Sequence, residues 1–229
     1  MTSISVVIPV YNAEPTVGML CEELLTKMPD LTDTFEILLV EDCSRDNSWR
    51  VIEGLSKAEG RIRGIRLNRN YGQHNALLCG IRAARFDVIV TMDDDLQHPV
   101  SEISVLIDKL NEGYDVVYGA PRHEKHGLFR DLASKLTKLA LRDVMGVETA
   151  RSVSAFRTFR TSMRDAFANY CNPSVSIDVL LTWATSSFAA VSVRHEPRTI
   201  GQSNYTLGKL ITHAFNLMTG FSTLPLRFA

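Results

Sequence analysis

Apolar segments alternate with helical patterns through roughly the first half of the chain. Apolar runs rich in β-branched residues are typical of strands buried in a sheet, and we predict strands at residues 4–10, 35–40, 62–67, 88–92 and 115–118. Apolar residues at helical spacing predict helices over residues 16–27, 48–58, 72–84 and 103–110. This alternation predicts an α/β fold with a mostly parallel central sheet and helices on both faces.

The pattern is less regular in the second half. Helical spacing predicts helices over residues 128–145 and 175–185, and short apolar runs predict strands at 154–159 and 190–193. Residues 198–203 are polar and contain glycine, which predicts a loop. The sequence has no internal repeat and no low-complexity segment, so we predict one domain over residues 1–206.

The C-terminal segment, residues 207–229, has a different character. Apolar residues at helical spacing over 207–217 predict an amphipathic helix, and an apolar, aromatic stretch follows it. Two interpretations stay open: the helix docks on the core of the domain, or it lies on a bilayer surface. In the second case we expect the tail to be membrane-proximal and to lead into membrane helices that this chain lacks.

Composition and charge narrow the class of protein. The 229 residues are 45% hydrophobic and 22% charged, as in soluble globular proteins. Lys plus Arg number 25 against 26 for Asp plus Glu, and no dense basic stripe with interleaved aromatics is present, so a nucleic acid partner is disfavoured. The four cysteines lack CxxC spacing, and neither a signal peptide nor an apolar run of membrane-spanning length is visible. These features predict a cytoplasmic protein with reduced thiols.

Three consecutive carboxylates, Asp93, Asp94 and Asp95, follow the apolar run 88–92. Ligands of open α/β sheets bind at the carboxyl ends of strands, and carboxylates packed there repel one another unless a cation joins them. A solvated turn is the competing interpretation, but Pro99 predicts a helix start just after the cluster. The sequence therefore predicts a divalent metal site that holds a phosphorylated ligand.

Other common nucleotide and catalytic motifs are missing from the sequence. It contains no GxGxxG after the first strand, no GxxxxGK[ST] and no GxSxG, and His123 and His126 have no soft ligands near them in the chain. Dinucleotide-binding, P-loop and zinc chemistry are therefore disfavoured. Carboxylates at strand ends remain, and Asp42, at the end of the second predicted strand, is placed to accept hydrogen bonds from a base or ribose in the same crevice.

Four ordered motifs resemble those of the family 2 inverting glycosyltransferases. They are Val-Ile-Pro-Val-Tyr-Asn at residues 7–12, Val-Glu-Asp-Cys-Ser-Arg-Asp at 40–46, Arg-Asn-Tyr-Gly at 69–72 and Asp-Asp-Asp-Leu-Gln-His-Pro at 93–99. Two later stretches, Ser-Ala-Phe-Arg at 154–157 and residues 198–205, make the chain most similar to the polyprenyl-phosphate group. That group includes dolichol-phosphate mannose synthase and the bacterial enzymes that load undecaprenyl phosphate.

The resemblance implies a GT-A (Rossmann-like) catalytic domain that binds a UDP- or GDP-sugar. Pro9, Tyr11 and Asp42 would surround the base and ribose. Asp93 and Asp95 would be the ends of a DxD motif that brings Mg²⁺ or Mn²⁺ to the diphosphate, with Asp94 in the same cluster. Three further positions are implied near the metal and the phosphates: Gln97, Arg122 and Arg198.

A polyprenyl phosphate acceptor at the cytoplasmic face of the cell membrane is the implied substrate. A phosphate group arrives largely as a dianion, since its second pKa is about 6, and it needs no general base. Arg157 and Arg198, together with the metal, would offset the repulsion between acceptor and donor. In-line attack at the anomeric carbon would invert its configuration, and Asp93, Asp95, Arg157 and Arg198 form the implied catalytic set.

Three departures from the family pattern leave sugar and acceptor specificity open. Ala13 stands where an acidic residue is usual, Asn204 stands where Lys is frequent, and the region before Ser154 lacks its usual acid. Two alternative functions stay open as well: a glycosyltransferase with a hydroxyl acceptor on a glycan or lipid, and a non-catalytic nucleotide-sugar-binding subunit. A homo-oligomer is also left open.

Overall fold

The structure is a computed structural model that describes residues 2–121, 153–173 and 175–197. The strands in these ranges are β1 Ile4–Val10, β2 Phe35–Glu41, β3 Ile62–Arg66, β4 Val88–Thr91, β5 Val116–Pro121, β6 Arg157–Arg160 and β7 Phe188–Val193. The helices are α1 Val17–Lys27, α2 Ser48–Ala58, α3 Gln73–Ala83, α4 Ile103–Asn111 and α5 Ile177–Ala184. Short 3₁₀ turns cover Met28–Asp30, Val100–Glu102 and Thr161–Phe167.

Every predicted helix and strand that falls on described residues is present, with ends that shift by a few residues. The largest shifts are of three residues: β5 extends to Pro121, and β6 begins at Arg157, after a turn in which the Ser154 hydroxyl accepts a hydrogen bond from the backbone N–H of Phe156. The predicted helix over 128–145, the loop at 198–203 and the boundary between 206 and 207 lie outside the described residues, as does the tail over 207–229.

The strands form one sheet in the order β3-β2-β1-β4-β6-β5-β7. Neighbouring strands run parallel except at β6, which is antiparallel to both β4 and β5. The chain builds outward from β1 to β2 and β3, and then returns to place β4 on the other side of β1. Ligands of open α/β sheets bind at such a reversal of strand order, so the carboxyl ends of β1 and β4 mark the place to look for a site.

Helices cover both faces of the sheet, as predicted. On one face α1, α2 and α4 bury an apolar cluster against the strands, and on the other face α3 and α5 bury a second cluster. None of the helices in the described ranges is long and apolar enough to cross a bilayer. All four thiols are free, but only Cys21 is buried and Cys171 is exposed.

Pro9 sits where β1 and β4 stop pairing. The β1–β4 register ends at Val7 opposite Thr91, while β1 continues beside β2 to Val10 opposite Glu41. Proline has no N–H to donate, so it fits a strand only where no ladder partner is needed. Beyond Pro9 the two strands lead into separate loops, which carry Tyr11 and the acidic cluster.

Helix α3 packs closely on the sheet at Gly80. A Cβ at this position would lie 2.4 Å from Val7 Cγ1 and 3.0 Å from Val40 Cγ2. We expect Gly80→Ala to lower the free energy of unfolding by about 1–3 kcal/mol, because the added methyl group overpacks the helix–sheet contact. Urea denaturation measures this.

The matched control is Gly54→Ala, in helix α2, where an added Cβ meets nothing within 4 Å. We expect this variant to be as stable as the native protein or up to about 1 kcal/mol more stable, because alanine has the higher helix propensity. Equal stability of the two variants would contradict the close packing of α3.

Candidate functional site

Three loops at the carboxyl ends of β1, β2 and β4 share an unusual backbone feature. Each holds one non-glycine residue with positive φ: Asn12 at 54°, Cys43 at 58° and Leu96 at 61°. Within the described ranges these are the non-glycine residues with that conformation. It costs a residue such as leucine about 1–2 kcal/mol and tends to cluster at functional sites. The three strained residues therefore lie at the edge of the sheet where the strand order reverses.

Each carboxylate of the acidic cluster accepts a hydrogen bond from a different part of the protein. Asp93 Oδ1 lies 2.6 Å from Gln73 Nε2, at the start of α3. Asp94 Oδ2 lies 3.1 Å from the backbone N of Tyr11, and Asp95 Oδ1 lies 3.1 Å from the backbone N of Gln97. The cluster is half-buried and fixed by these contacts, which argues against a freely solvated turn.

Asp42 is buried at the end of β2 and holds the segment that precedes α3. Its Oδ1 accepts a hydrogen bond from the backbone N of Tyr71 and its Oδ2 accepts one from the backbone N of Gly72, both at 2.7 Å. Burial raises the pKa of Asp42, while the two backbone hydrogen bonds act in the opposite direction. Each carboxylate oxygen retains a second lone pair, so Asp42 can still accept a hydrogen bond from a ligand.

The loops after β1 and β2 are linked directly. The backbone N of Asn12 donates to Ser44 Oγ at 3.0 Å, and the backbone N of Arg45 donates to Asn12 Oδ1 at 2.9 Å. Glu14 accepts two hydrogen bonds from Asn47, one from the backbone N and one from Nδ2. The acid that follows Ala13 is therefore used to connect the two loops.

The loop of the acidic cluster is also joined to the segment that follows β7. The backbone N of Glu196 donates to the carbonyl oxygen of Gln97 at 2.9 Å, and Gln97 Nε2 donates to the carbonyl oxygen of Glu196 at 3.3 Å. His98 stacks on Phe156, with ring centroids 5.0 Å apart, and meets the ring of His195 edge-on at 5.1 Å. Gln97 thus lies beside the cluster with its amide engaged in this contact.

Arg157 occupies a different environment from the acidic loops. It is 2% exposed and forms an ion pair with Asp178, which also accepts a hydrogen bond from the Tyr118 hydroxyl at 3.0 Å. Arg157 pairs with Thr91 on the neighbouring strand β4, and Thr91 precedes Asp93 by two residues in the chain. Removing one partner of a buried ion pair strongly destabilises a protein, because the other charge is left buried without its counter-ion. This placement therefore favours a structural role for Arg157 over contact with a substrate.

The sequence matches Glycosyl transferase family 2 over residues 5–170. The chain belongs to this family. It is 36% identical over 225 residues to undecaprenyl-phosphate 4-deoxy-4-formamido-L-arabinose transferase of Shewanella sediminis, and the alignment covers 98% of this chain and 68% of the relative. The Yersinia enterocolitica protein of the same name is 35% identical over 225 residues, covering 98% of this chain and 69% of that relative.

Solved structures at low identity share the fold of this family 2 glycosyltransferase. Mannosyl-3-phosphoglycerate synthase from Rubrobacter xylanophilus superposes with a TM-score of 0.69 at 16% identity, covering 95% of this chain and 72% of that one. Glucosyl-3-phosphoglycerate synthase from Mycobacterium tuberculosis was solved with Mn²⁺, UDP and phosphoglyceric acid. It superposes with a TM-score of 0.65 at 20% identity, covering 95% of this chain and 78% of that one. The predicted GT-A fold, family and resemblance to the polyprenyl-phosphate group are confirmed.

The donor atoms in this glycosyltransferase suit a hard cation that a substrate helps to bind. Within residues 2–121, 153–173 and 175–197, no three His, Cys, Asp or Glu side chains lie close enough to hold a metal by themselves. Mg²⁺ and Mn²⁺ favour oxygen ligands, and Mg²⁺ is commonly bound by one or two carboxylates together with substrate phosphates. The carboxylates of Asp93 and Asp95 fit that arrangement.

Gln73, which contacts Asp93, is not among the site residues predicted from the sequence. The only signal was a polar residue at the first position of a predicted helix, directly after Gly72, and many surface helices begin in this way. Two other predicted site residues, Arg122 and Arg198, lie outside the described residues. Tyr11, Asp42 and residues 93–97 are brought together at one edge of the sheet, as the strand-end argument predicted.

We expect His98 to make the stability of this glycosyltransferase depend on pH. Burial lowers the pKa of His98 to about 4, repulsion from His195 adds to that effect, and Asp95 opposes it. Its Nδ1 is buried without a hydrogen-bond partner among the described residues. In the unfolded chain the His98 imidazole takes up a proton near pH 6.5, and in the folded chain only near pH 4. We therefore expect His98 to contribute about 3 kcal/mol of stability above pH 6.5 and this contribution to be lost as the pH falls to 4.

Urea denaturation at pH 7.5, 6, 5 and 4.5 tests this prediction. His98→Leu removes the titrating group, and we expect it to flatten this part of the pH dependence. An unchanged pH profile in the variant would assign the loss of stability to other groups.

Proposed function

We propose that this protein is a metal-dependent inverting glycosyltransferase that moves a sugar from a UDP- or GDP-sugar to a polyprenyl phosphate. One observation carries the proposal: Tyr11, Asp42 and the acidic cluster converge where the strand order reverses, on loops that are hydrogen-bonded to one another. A nucleoside diphosphate needs a polar pocket for its base and ribose close to a cation site for its phosphates. The proposal assigns both to these loops, which meet at one edge of the sheet.

The proposed roles follow from what each side chain can donate or accept. Pro9, Tyr11 and Asp42 bind the base and ribose, and Asp93 and Asp95 hold Mg²⁺ or Mn²⁺ with Asp94 and Gln97 beside them. When bound, the metal stabilises the negative charge that develops on the leaving diphosphate. Arg122 and Arg198 are assigned to the phosphates, and Arg157 orients β6 through its pair with Asp178.

The acceptor proposal draws on the two relatives, whose names specify undecaprenyl phosphate. An oxygen of the lipid phosphate attacks the anomeric carbon and forms the new C–O bond. The bond to the donor diphosphate breaks, its electron pair leaves with the nucleoside diphosphate, and the configuration inverts. The attacking oxygen is already deprotonated, so no protein base is needed, and Arg198 is proposed to reduce the repulsion between the two anions.

The reaction is proposed to take place at the cytoplasmic face of the membrane, with residues 207–229 at the bilayer surface. Co-sedimentation with vesicles that contain acidic phospholipid tests this placement. We expect the full chain to sediment with the vesicles, and a chain ending at residue 206 to stay in the supernatant.

The test of the function is a transfer assay with a panel of labelled UDP- and GDP-sugars, Mn²⁺, and either a polyprenyl phosphate or the matching polyprenol. We expect labelled lipid with the phosphate and none with the polyprenol. Product on the polyprenol or on a glycan would favour the hydroxyl-acceptor alternative. Metal-dependent nucleotide binding without any product would favour a binding subunit, and absence of nucleotide binding would reject the proposed donor site.

A further inference from the structure

The first residue of helix α3, Gln73, contacts the acidic cluster. Its Nε2 lies 2.6 Å from Asp93 Oδ1, a short and partly buried hydrogen bond between residues twenty positions apart in the chain. A primary amide can donate to a carboxylate without adding charge. A carboxylate can accept several hydrogen bonds, so this contact orients Asp93 without using the whole binding capacity of the group. A lysine here would compete with the cation, and an acid would repel Asp93.

The two residues before Gln73 contact the other acid of the site. The backbone N–H groups of Tyr71 and Gly72 donate to the two oxygens of Asp42 at 2.7 Å. Gly72 has φ +90°, a conformation that suits glycine, and it directs its N–H to Asp42 immediately before the helix begins. Three consecutive residues therefore join the carboxylate after β2 to the first carboxylate after β4.

Helix α3 holds this segment in place. Gly80 lies against Val7 and Val40 of the sheet, so the helix has little room to shift. At its first turn His74 Nδ1 accepts a hydrogen bond from the backbone N of Ile177 at 3.3 Å, and Asn75 Nδ2 donates to the carbonyl oxygen of Pro173 at 3.2 Å. The Gln73 amide thus projects from a backbone fixed on both sides.

We propose that Gln73 is a positioning residue that orients Asp93 for the metal and, through Tyr71 and Gly72, couples metal binding to occupation of the base site beside Asp42. The inference rests on the proposed function, since it assumes that Asp93 binds a cation. Groups that orient metal ligands typically change metal affinity by about 10- to 100-fold when they are removed. Nucleotide affinity in the absence of metal should stay nearly unchanged.

Two variants test the role of Gln73. Gln73→Met keeps the length of the side chain without the donor, and Gln73→Asn keeps the amide but shortens its reach. With either variant we expect Mn²⁺ affinity, titrated with saturating UDP or GDP and read by electron paramagnetic resonance, to fall by about 10- to 100-fold. Calorimetric affinity for the same nucleotide without Mn²⁺ should change by less than about twofold, and melting temperature should stay close to that of the native chain.

The matched control is Asn111→Ala, which removes an exposed primary amide at the end of α4, shortly before β5 begins. We expect its Mn²⁺ affinity to stay within about twofold of the native value. If Gln73→Met and Gln73→Asn bind Mn²⁺ as tightly as the native chain while Asp93→Asn does not, this inference is wrong and the donor site stands. If the native chain binds neither nucleotide nor Mn²⁺, both proposals are rejected.

Discussion

Asp93→Asn and Asp95→Asn are each expected to lower the rate of sugar transfer by about 10³-fold. Asparagine keeps the size of the side chain and one oxygen but removes the negative charge that binds the cation. Metal stabilisation of a developing charge is worth several kcal/mol, and each 1.36 kcal/mol changes the rate tenfold. Single-turnover transfer at saturating donor and Mn²⁺ measures the effect.

Two control variants separate metal binding from a general loss of acidity. Asp108 is an exposed acid on α4, and Asp108→Asn should transfer sugar at the native rate. Asp94 accepts a hydrogen bond from the Tyr11 backbone, and asparagine can still accept it, so Asp94→Asn should lose much less activity than its neighbours. Transfer by Asp93→Asn and Asp95→Asn within tenfold of the native rate would contradict the proposed metal site.

The second large effect is expected on stability, at the buried ion pair of Arg157 and Asp178. Asp178→Ala leaves the guanidinium of Arg157 buried without its counter-ion and removes the acceptor of the Tyr118 hydroxyl. Breaking a buried pair in this way typically costs about 3–5 kcal/mol, which is a large share of the stability of a single domain. Urea denaturation of the variant, monitored by circular dichroism, measures the loss.

A double variant distinguishes a structural role of Arg157 from a catalytic one. Arg157→Met with Asp178→Leu replaces the pair by apolar side chains, and we expect it to recover most of the stability lost in Asp178→Ala. If Arg157 acts only through packing, this double variant should also transfer sugar. A stable, nucleotide-binding double variant without transfer would restore the direct acceptor role that the sequence resemblance implied for Arg157.

The control for the stability measurement is Lys57→Ala, which breaks an exposed pair with Glu53 and should change the free energy of unfolding little.

Local pattern was enough to predict most of the fold. Strands buried on both faces, such as β1 and β2, read as continuous apolar runs because every side chain meets a helix. The helices between them show their apolar stripe for the same reason. β6 was placed only approximately, and nothing in its sequence indicated that it inserts antiparallel between β4 and β5. Strand order depends on contacts between residues far apart in the chain, which local periodicity does not encode.

The candidate site, like the fold, could be predicted from the sequence only in part. Asp42 and Asp93 to Asp95 were identified because strand ends meet at one edge of a parallel sheet and carboxylates there need partners. Arg157 was assigned a substrate contact from its motif, and the fold buries it against Asp178, so the double variant is what decides its role. Gln73 shows the converse, because an ordinary helix-start residue becomes a partner of Asp93 only when α3 packs on β1 and β2.

The sequence by itself determined the α/β class, the family and the acidic strand ends, because each depends on residue types at short spacing. The tertiary structure alone decided which of the polar side chains meet. It joined the loops of β1, β2 and β4, linked Gln97 to the segment after β7, and withdrew Arg157 into the core. The physical reason is that hydrogen bonds and burial are properties of distance in space, and the positions of helix α3 and strand β6 set those distances.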